Sequence, residues 1–215
     1  VHAEVIKRIR EVSKEEDIPV AILQDLCGPK IRLGNLPEPV QLEKCAVIKL
    51  AIGEDPGADL FTDFLPLPDL VKNGETILMN DGYVELEALE VTKKCITCKV
   101  IVPGKVSARK GINLPDSDAA IEVFTEKDRK DLEFGLQQGV DLVAMSFVDS
   151  ARNVEPVKRM MEEYKRVIPV IAKIERPVAL SNIEDIMDAF DGIMIARGDL
   201  GVEIGDAELP AVQKR

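Results

Sequence analysis

The run Ile171-Ala172-Lys173-Ile174-Glu175 places an ammonium and a carboxylate two residues apart in otherwise apolar sequence. On a β-strand that spacing puts both side chains on one face. Burying unpaired charge where packing would choose Val or Ile costs several kcal/mol, so this face calls for a ligand, a metal or a partner. A second apolar run, Gly192-Ile193-Met194-Ile195-Ala196, leads into Arg197-Gly198-Asp199-Leu200-Gly201 and sets an aspartate at its exit. With a helical stretch between them, both runs read as buried parallel strands. Adjacent strands lie about 4.8 Å apart, which would bring Asp199 beside Glu175. Two carboxylates and a lysine on neighbouring strand ends are the parts of a Mg²⁺ and phosphate site. The plain structural alternative is an ion pair between Lys173 and Glu175.

The elements that must position these groups follow an αβ, all-β, βαβαβα order. Residues 3–16 give a helix with Val5, Ile6, Ile9 and Val12 on one face, closed by Ile18-Pro19. A short buried strand over 20–24 ends at Gln24-Asp25. From about residue 37, prolines and glycines punctuate short β-rich runs (45–52, 76–79 and 84–91), which reads as a small antiparallel module ending near Val106. Asn80-Asp81-Gly82 marks a hairpin within it. After Pro115 the alternation returns. Thr125 with Asp128 caps a helix that Gly139 closes, strands follow at 141–148, 168–175 and 192–196, and helices at 152–165, 182–190 and from 207. Right-handed crossovers join these units into one parallel sheet.

Composition bounds the partners. The 215 residues are 46% hydrophobic and 31% charged, as in soluble globular domains. No apolar run reaches the roughly 18 residues of a membrane span, and the amphipathic, charged N-terminal segment is no signal peptide. A net charge of −11 argues against nucleic acid or anionic membrane as a partner. An anionic substrate must find a local basic patch, which Lys30, Arg32, Lys110 and Lys173 can supply. Cys95 and Cys98 form a C-x-x-C. With His2 the single histidine and no second pair, and with the two thiols facing opposite ways on a likely strand, the spacing reads as structural rather than zinc-binding. The free thiols fit a reducing, cytoplasmic setting.

Several segments resemble pyruvate kinases, in that family's order and nearly its spacing. They are Gln24-Asp25-Leu26-Cys27-Gly28-Pro29-Lys30-Ile31-Arg32, Asn80-Asp81-Gly82, Arg109-Lys110-Gly111-Ile112-Asn113-Leu114-Pro115, Thr125-Glu126-Lys127-Asp128, Met145-Ser146-Phe147-Val148 and the two strand ends above. The resemblance implies an α/β fold: a partial (β/α)₈ TIM barrel, strands three to six, with an inserted small all-β domain. Residues 1–36 and 107–215 would form the partial barrel and 37–106 the inserted lid. Four barrel strands are visible where a closed barrel needs eight, so the chain is expected to be an internal piece, with exposed sheet edges and no activity alone.

The resemblance also implies phosphoryl transfer from phosphoenolpyruvate to ADP, giving pyruvate and ATP. Glu175 and Asp199 match the family's Mg²⁺ ligands, and Lys173 the lysine beside the transferring phosphate. Ala196, Arg197, Gly198 and Asp199 match the substrate-binding turn, its backbone N–H groups available at a helix start. Arg32 and Lys110 match nucleotide contacts, and Asp81 lies on the lid hairpin. Asp25 matches a monovalent-cation ligand, and Leu26 stands where a backbone carbonyl contributes. Lys30 occupies a position where potassium-dependent members carry Glu, so its ammonium is expected to replace the K⁺ charge. The full-length enzyme is expected to be a homotetramer. Two alternatives stay open: another metal-dependent barrel enzyme acting on phosphoenolpyruvate or a 2-oxo acid, and a non-catalytic fragment.

Overall fold

A computed structural model of the chain describes residues 1–117, 122–205 and 207–215. Its contacts divide into two compact units, Val1–Pro29 with Glu122–Ala196, and Lys30–Ile121 with Arg197–Arg215.

The first unit is α/β. Four parallel strands, Leu23–Leu26, Leu142–Met145, Val170–Ile174 and Gly192–Ile195, lie side by side in chain order. That order matches the expected run of barrel strands. The intervening helices follow from local chemistry. Thr125 and Asp128 form a reciprocal capping box at the start of helix Glu126–Gln138, and Gly139, at φ 78°, closes it in the left-handed conformation. The segment expected as one helix from 152 to 165 is instead a 3₁₀ turn, Ala151–Val154, followed by helix Glu155–Glu163. Asn153 Oδ1 accepts the N–H groups of Asp149 and Ser150, both at 2.9 Å, which fixes the tighter first turn.

Two strands differ from expectation. The first runs over Leu23–Leu26 rather than 20–24, so Asp25 sits within it. The preceding backbone bonds elsewhere: Ile22 N–H donates to Asp141 Oδ2 at 2.6 Å, and Arg10 donates to the Val20 carbonyl at 2.9 Å and to Asp141 at 2.6 Å. The Gly192–Ile195 strand was expected to be buried, yet Ile193 and Met194 are exposed. It is the last strand of the sheet and has a strand neighbour on one side only.

The second unit carries the β-rich module. A six-stranded sheet runs Leu60–Thr62, Val47–Ile52, Cys95–Val102, Val84–Val91, Thr76–Met79 and Ile112–Asn113, beside a two-stranded ribbon of Val40–Leu42 and Gly104–Val106. Alternate residues of the Cys95–Val102 strand are buried, so Cys98 is inside while Cys95 faces the other way, as the spacing required. Burial pushes the Cys98 thiol up to about 12. One pairing departs from the antiparallel expectation: Val47–Ile52 and Leu60–Thr62 run parallel. Ile31, Leu33, Ile112 and Leu114 join the module's apolar core. The hairpin joins Met79 to Val84, with Asn80, Asp81 and Gly82 all at positive φ. Arg197-Gly198-Asp199, read from sequence as a turn, is the first turn of helix Arg197–Ile204.

Candidate active site

In the first unit, charged and polar side chains collect at the C-terminal ends of three adjacent strands. Val170, Ala172 and Ile174 are buried on one face of their strand, which turns Lys173 to the other. Its ammonium donates to both oxygens of Asp25 at 3.1 Å, to Ser146 Oγ at 3.0 Å, and meets Glu175 Oε1 at 3.0 Å. Glu175 lies one residue past the strand and is 2% exposed. The Phe147 N–H donates to its Oε2 at 2.9 Å. Phe147 reaches that position at φ 59°, a conformation an aromatic residue seldom adopts. Burial works against the Lys173 ammonium, but hydrogen bonds and charge from Glu175 and Asp25 outweigh it and hold its pKa above the ordinary lysine value. Lys173 is therefore a fixed positive charge at neutral pH.

The Asp25 strand, separated from that of Lys173 by Leu142–Met145, is braced from outside. Gly28, at φ 63°, follows Asp25 by three residues, and its N–H donates to Asp128 Oδ1 at 3.1 Å. A Cβ on Gly28 would stand 2.9 Å from Phe147 Cδ2 and 3.2 Å from Ser146 Cβ. Asp128, fully buried, also accepts the Thr125 N–H and hydroxyl. Sequence reasoning makes Asp128 a helix cap alone and assigns no role to Ser146 or Phe147. A hydroxyl at the exit of an apolar strand was the available signal.

The second unit holds the other candidates. Lys30 Nζ lies 3.4 Å from Asp199 Oδ1. Lys110 Nζ lies 3.6 Å from Asp81 Oδ2, which joins the hairpin to the segment after the module. Arg32 donates to the Arg109 carbonyl at 2.9 Å, and Arg109, itself at φ 64°, donates to Asn35. The hairpin also approaches helix Arg197–Ile204, for a Cβ on Gly82 would meet Val202 Cγ1 at 3.3 Å. Thus Lys173, Glu175 and Asp25 come together in one unit, and Arg32, Lys110, Asp81, Lys30 and Asp199 belong to the other. Ala196 closes the first unit, and Arg197 and Gly198 open the helix of the second.

Glu175 belongs to the first unit and Asp199 to the second, and each is a hard oxygen donor of the kind that a small divalent cation takes in ones or twos, completing its shell with water and phosphate oxygens. Each carboxylate is balanced here by an ammonium, Lys173 or Lys30. Among the described residues no group of three or more His, Cys, Asp or Glu side chains converges as a metal site, and no helix is long and apolar enough to cross a membrane. A groove of about 610 Å³ along helix His2–Glu15 shares no residue with the Lys173 cluster.

A parallel α/β sheet in chain order, with charged groups at its strand ends and a β-rich module in the chain between its first and second strands, defines a partial (β/α)₈ barrel protein. The family profile described as "Pyruvate kinase, barrel domain" matches residues 1–215. A pyruvate kinase of Agrobacterium vitis is 46% identical over 99% of this chain and 45% of its own length. Those of Corynebacterium glutamicum and Thermotoga maritima are 40% and 41% identical, over 100% and 97% of this chain and 46% of their own lengths. The chain belongs to the pyruvate kinase family. It spans less than half the length of these curated relatives.

Proposed function

We propose that the protein transfers a phosphoryl group from phosphoenolpyruvate to ADP, giving pyruvate and ATP, as a cytoplasmic enzyme that works as a homotetramer at full length. Residues 1–36 and 107–215 are its barrel portion, and 37–106 its lid. The observation that carries this reading is the Lys173 cluster at the strand ends of a chain whose whole length matches one family.

Phosphoryl transfer is mainly a matter of positioning and charge neutralisation. Lys173, a permanent cation at neutral pH, meets the negative charge that develops on the migrating phosphoryl group. Its raised pKa keeps it protonated, so it acts there by charge. Glu175 and Asp199 would hold Mg²⁺, which when bound neutralises substrate oxygens. Ala196, Arg197 and Gly198 offer backbone N–H groups at the start of a helix to an anionic substrate. Arg32 and Lys110 take nucleotide phosphates, the guanidinium bidentately, and Asp81 holds Lys110 in place from the hairpin. Asp25 and the Leu26 carbonyl mark the monovalent-cation position, and Lys30 supplies that charge in place of K⁺.

The test is a coupled assay for pyruvate from phosphoenolpyruvate, ADP and Mg²⁺, run on the full-length protein that contains this chain and on its Lys173→Met variant, since the chain by itself is expected to be inactive. The reading predicts turnover in the first and a loss of roughly a thousandfold in the second. Equal rates would refute it.

A further inference from the structure

We propose that Ser146 is a positioning residue for Lys173: its hydroxyl is a contact that keeps the ammonium in place when the neighbouring Glu175 carboxylate turns to the divalent ion. This inference rests on the phosphotransfer reading above.

An ammonium has three protons to donate, and three groups receive them here. Two are carboxylates, Asp25 at 3.1 Å and Glu175 at 3.0 Å, and the third is Ser146 Oγ at 3.0 Å. In the proposed reaction Glu175 has other work, with the divalent ion, and then gives less to Lys173. Ser146 is neutral, so no cation competes for it with comparable strength. Its geometry is also set in advance. The hydroxyl proton goes to the Leu26 carbonyl at 2.7 Å, which leaves the oxygen lone pairs facing Lys173.

The residue is held on every side. It is 4% exposed, at the exit of the Leu142–Met145 strand, so the hydroxyl has no solvent to turn toward. Gly28 packs against its Cβ, and Asp128 fixes Gly28 through its N–H. The next residue, Phe147, carries the N–H that holds Glu175. One dipeptide therefore orients both the lysine and the buried carboxylate, and the backbone strain at Phe147 is what aims the second. A hydroxyl that bridges two strand ends while facing an ammonium contributes more to placement than to fold stability, since one neutral hydrogen bond adds little net stability.

The experiment compares Ser146→Ala and Ser146→Thr with the wild-type protein. The first readout is the ¹H–¹⁵N signal of the Lys173 ammonium, visible only when that group is hydrogen-bonded and ordered, recorded with saturating Mg²⁺ and without nucleotide or phosphoenolpyruvate. Ser146→Ala is expected to broaden or lose it and Ser146→Thr to retain it; an unchanged signal in Ser146→Ala would overturn the inference. This readout is independent of turnover, so it stands apart from the pyruvate assay, whose failure in the wild type would sink the phosphotransfer reading instead. The second readout is kinetic. Ser146→Ala is expected to lower kcat about tenfold with KM for phosphoenolpyruvate changed less than twofold, and Ser146→Thr to recover most of the loss. Equal losses in the two variants, tracking their loss of thermal stability, would show a merely structural residue and overturn the inference.

Discussion

Asp128 is a carboxylate with no exposed surface, and its removal has a size that the structure allows to be worked out. Its Oδ2 accepts the Thr125 N–H at 3.0 Å and the Thr125 hydroxyl at 2.5 Å, while Oδ1 accepts Gly28 N–H at 3.1 Å. In Asp128→Ala the helix keeps the bond from the residue 128 N–H to the Thr125 hydroxyl but loses the reciprocal half of its capping box, the Thr125 N–H to Asp128 bond, about 1 kcal/mol. The Gly28 N–H and the Thr125 hydroxyl also lose their acceptor in a half-buried setting, about 1 kcal/mol each. The sum is about 3 kcal/mol, or about 6–12 °C in Tm for a chain of this size. Asp128→Asn keeps one oxygen acceptor and is expected to lose about half as much. Urea unfolding gives the stability, and amide hydrogen exchange at Gly28 shows whether the link to the Asp25 strand has gone. A loss below 1 kcal/mol in Asp128→Ala, or a larger loss with Gly28 exchange unchanged, would refute the bracing role.

Three further outcomes follow from the same geometry. Gly28→Ala must place a Cβ at positive φ and 2.9 Å from Phe147, so it should destabilise by about 2–3 kcal/mol and lower kcat by displacing the Ser146–Phe147 turn; urea unfolding and the pyruvate assay check both. Burial raises the Asp141 pKa, but the Ile22 N–H and Arg10 outweigh it and hold the carboxyl below its ordinary value. A depressed carboxyl contributes stability above its unfolded pKa of about 3.9 and loses it as pH falls through the lower folded value, so Arg10→Met should move the acid-unfolding midpoint upward. If Lys30 supplies the monovalent charge, turnover in tetramethylammonium buffer should be unchanged by added K⁺; a large activation would contradict that role.

How far the sequence could be read depended on how local each signal was. The Thr125–Asp128 cap, the Gly139 closure and the Asn80–Gly82 hairpin rest on residues a few positions apart, and all formed where their chemistry placed them. The sheet order followed from the apolar runs and the right-handed crossover rule. The start of the first strand was misplaced by three residues because Arg10 and Asp141, far away in sequence, take the backbone bonds of Val20 and Ile22. Lys173 and Glu175 were legible as a pair because they share a strand face. Their company was not. Asp25 lies 148 residues from Lys173 and Ser146 lies 27, and only sheet register brings them together. The parallel pairing of Val47–Ile52 with Leu60–Thr62 was likewise hidden, since both runs alternate in the same way whichever direction the partner takes.

The proposal on which the rest depends is that the Glu175 and Asp199 carboxylates are both needed to bind a divalent ion. Titration of the protein with Mn²⁺, followed by electron paramagnetic resonance, tests it most directly. One ion should bind per chain, with affinity at least tenfold weaker in Glu175→Gln and in Asp199→Asn. Wild-type affinity in either variant would contradict the account.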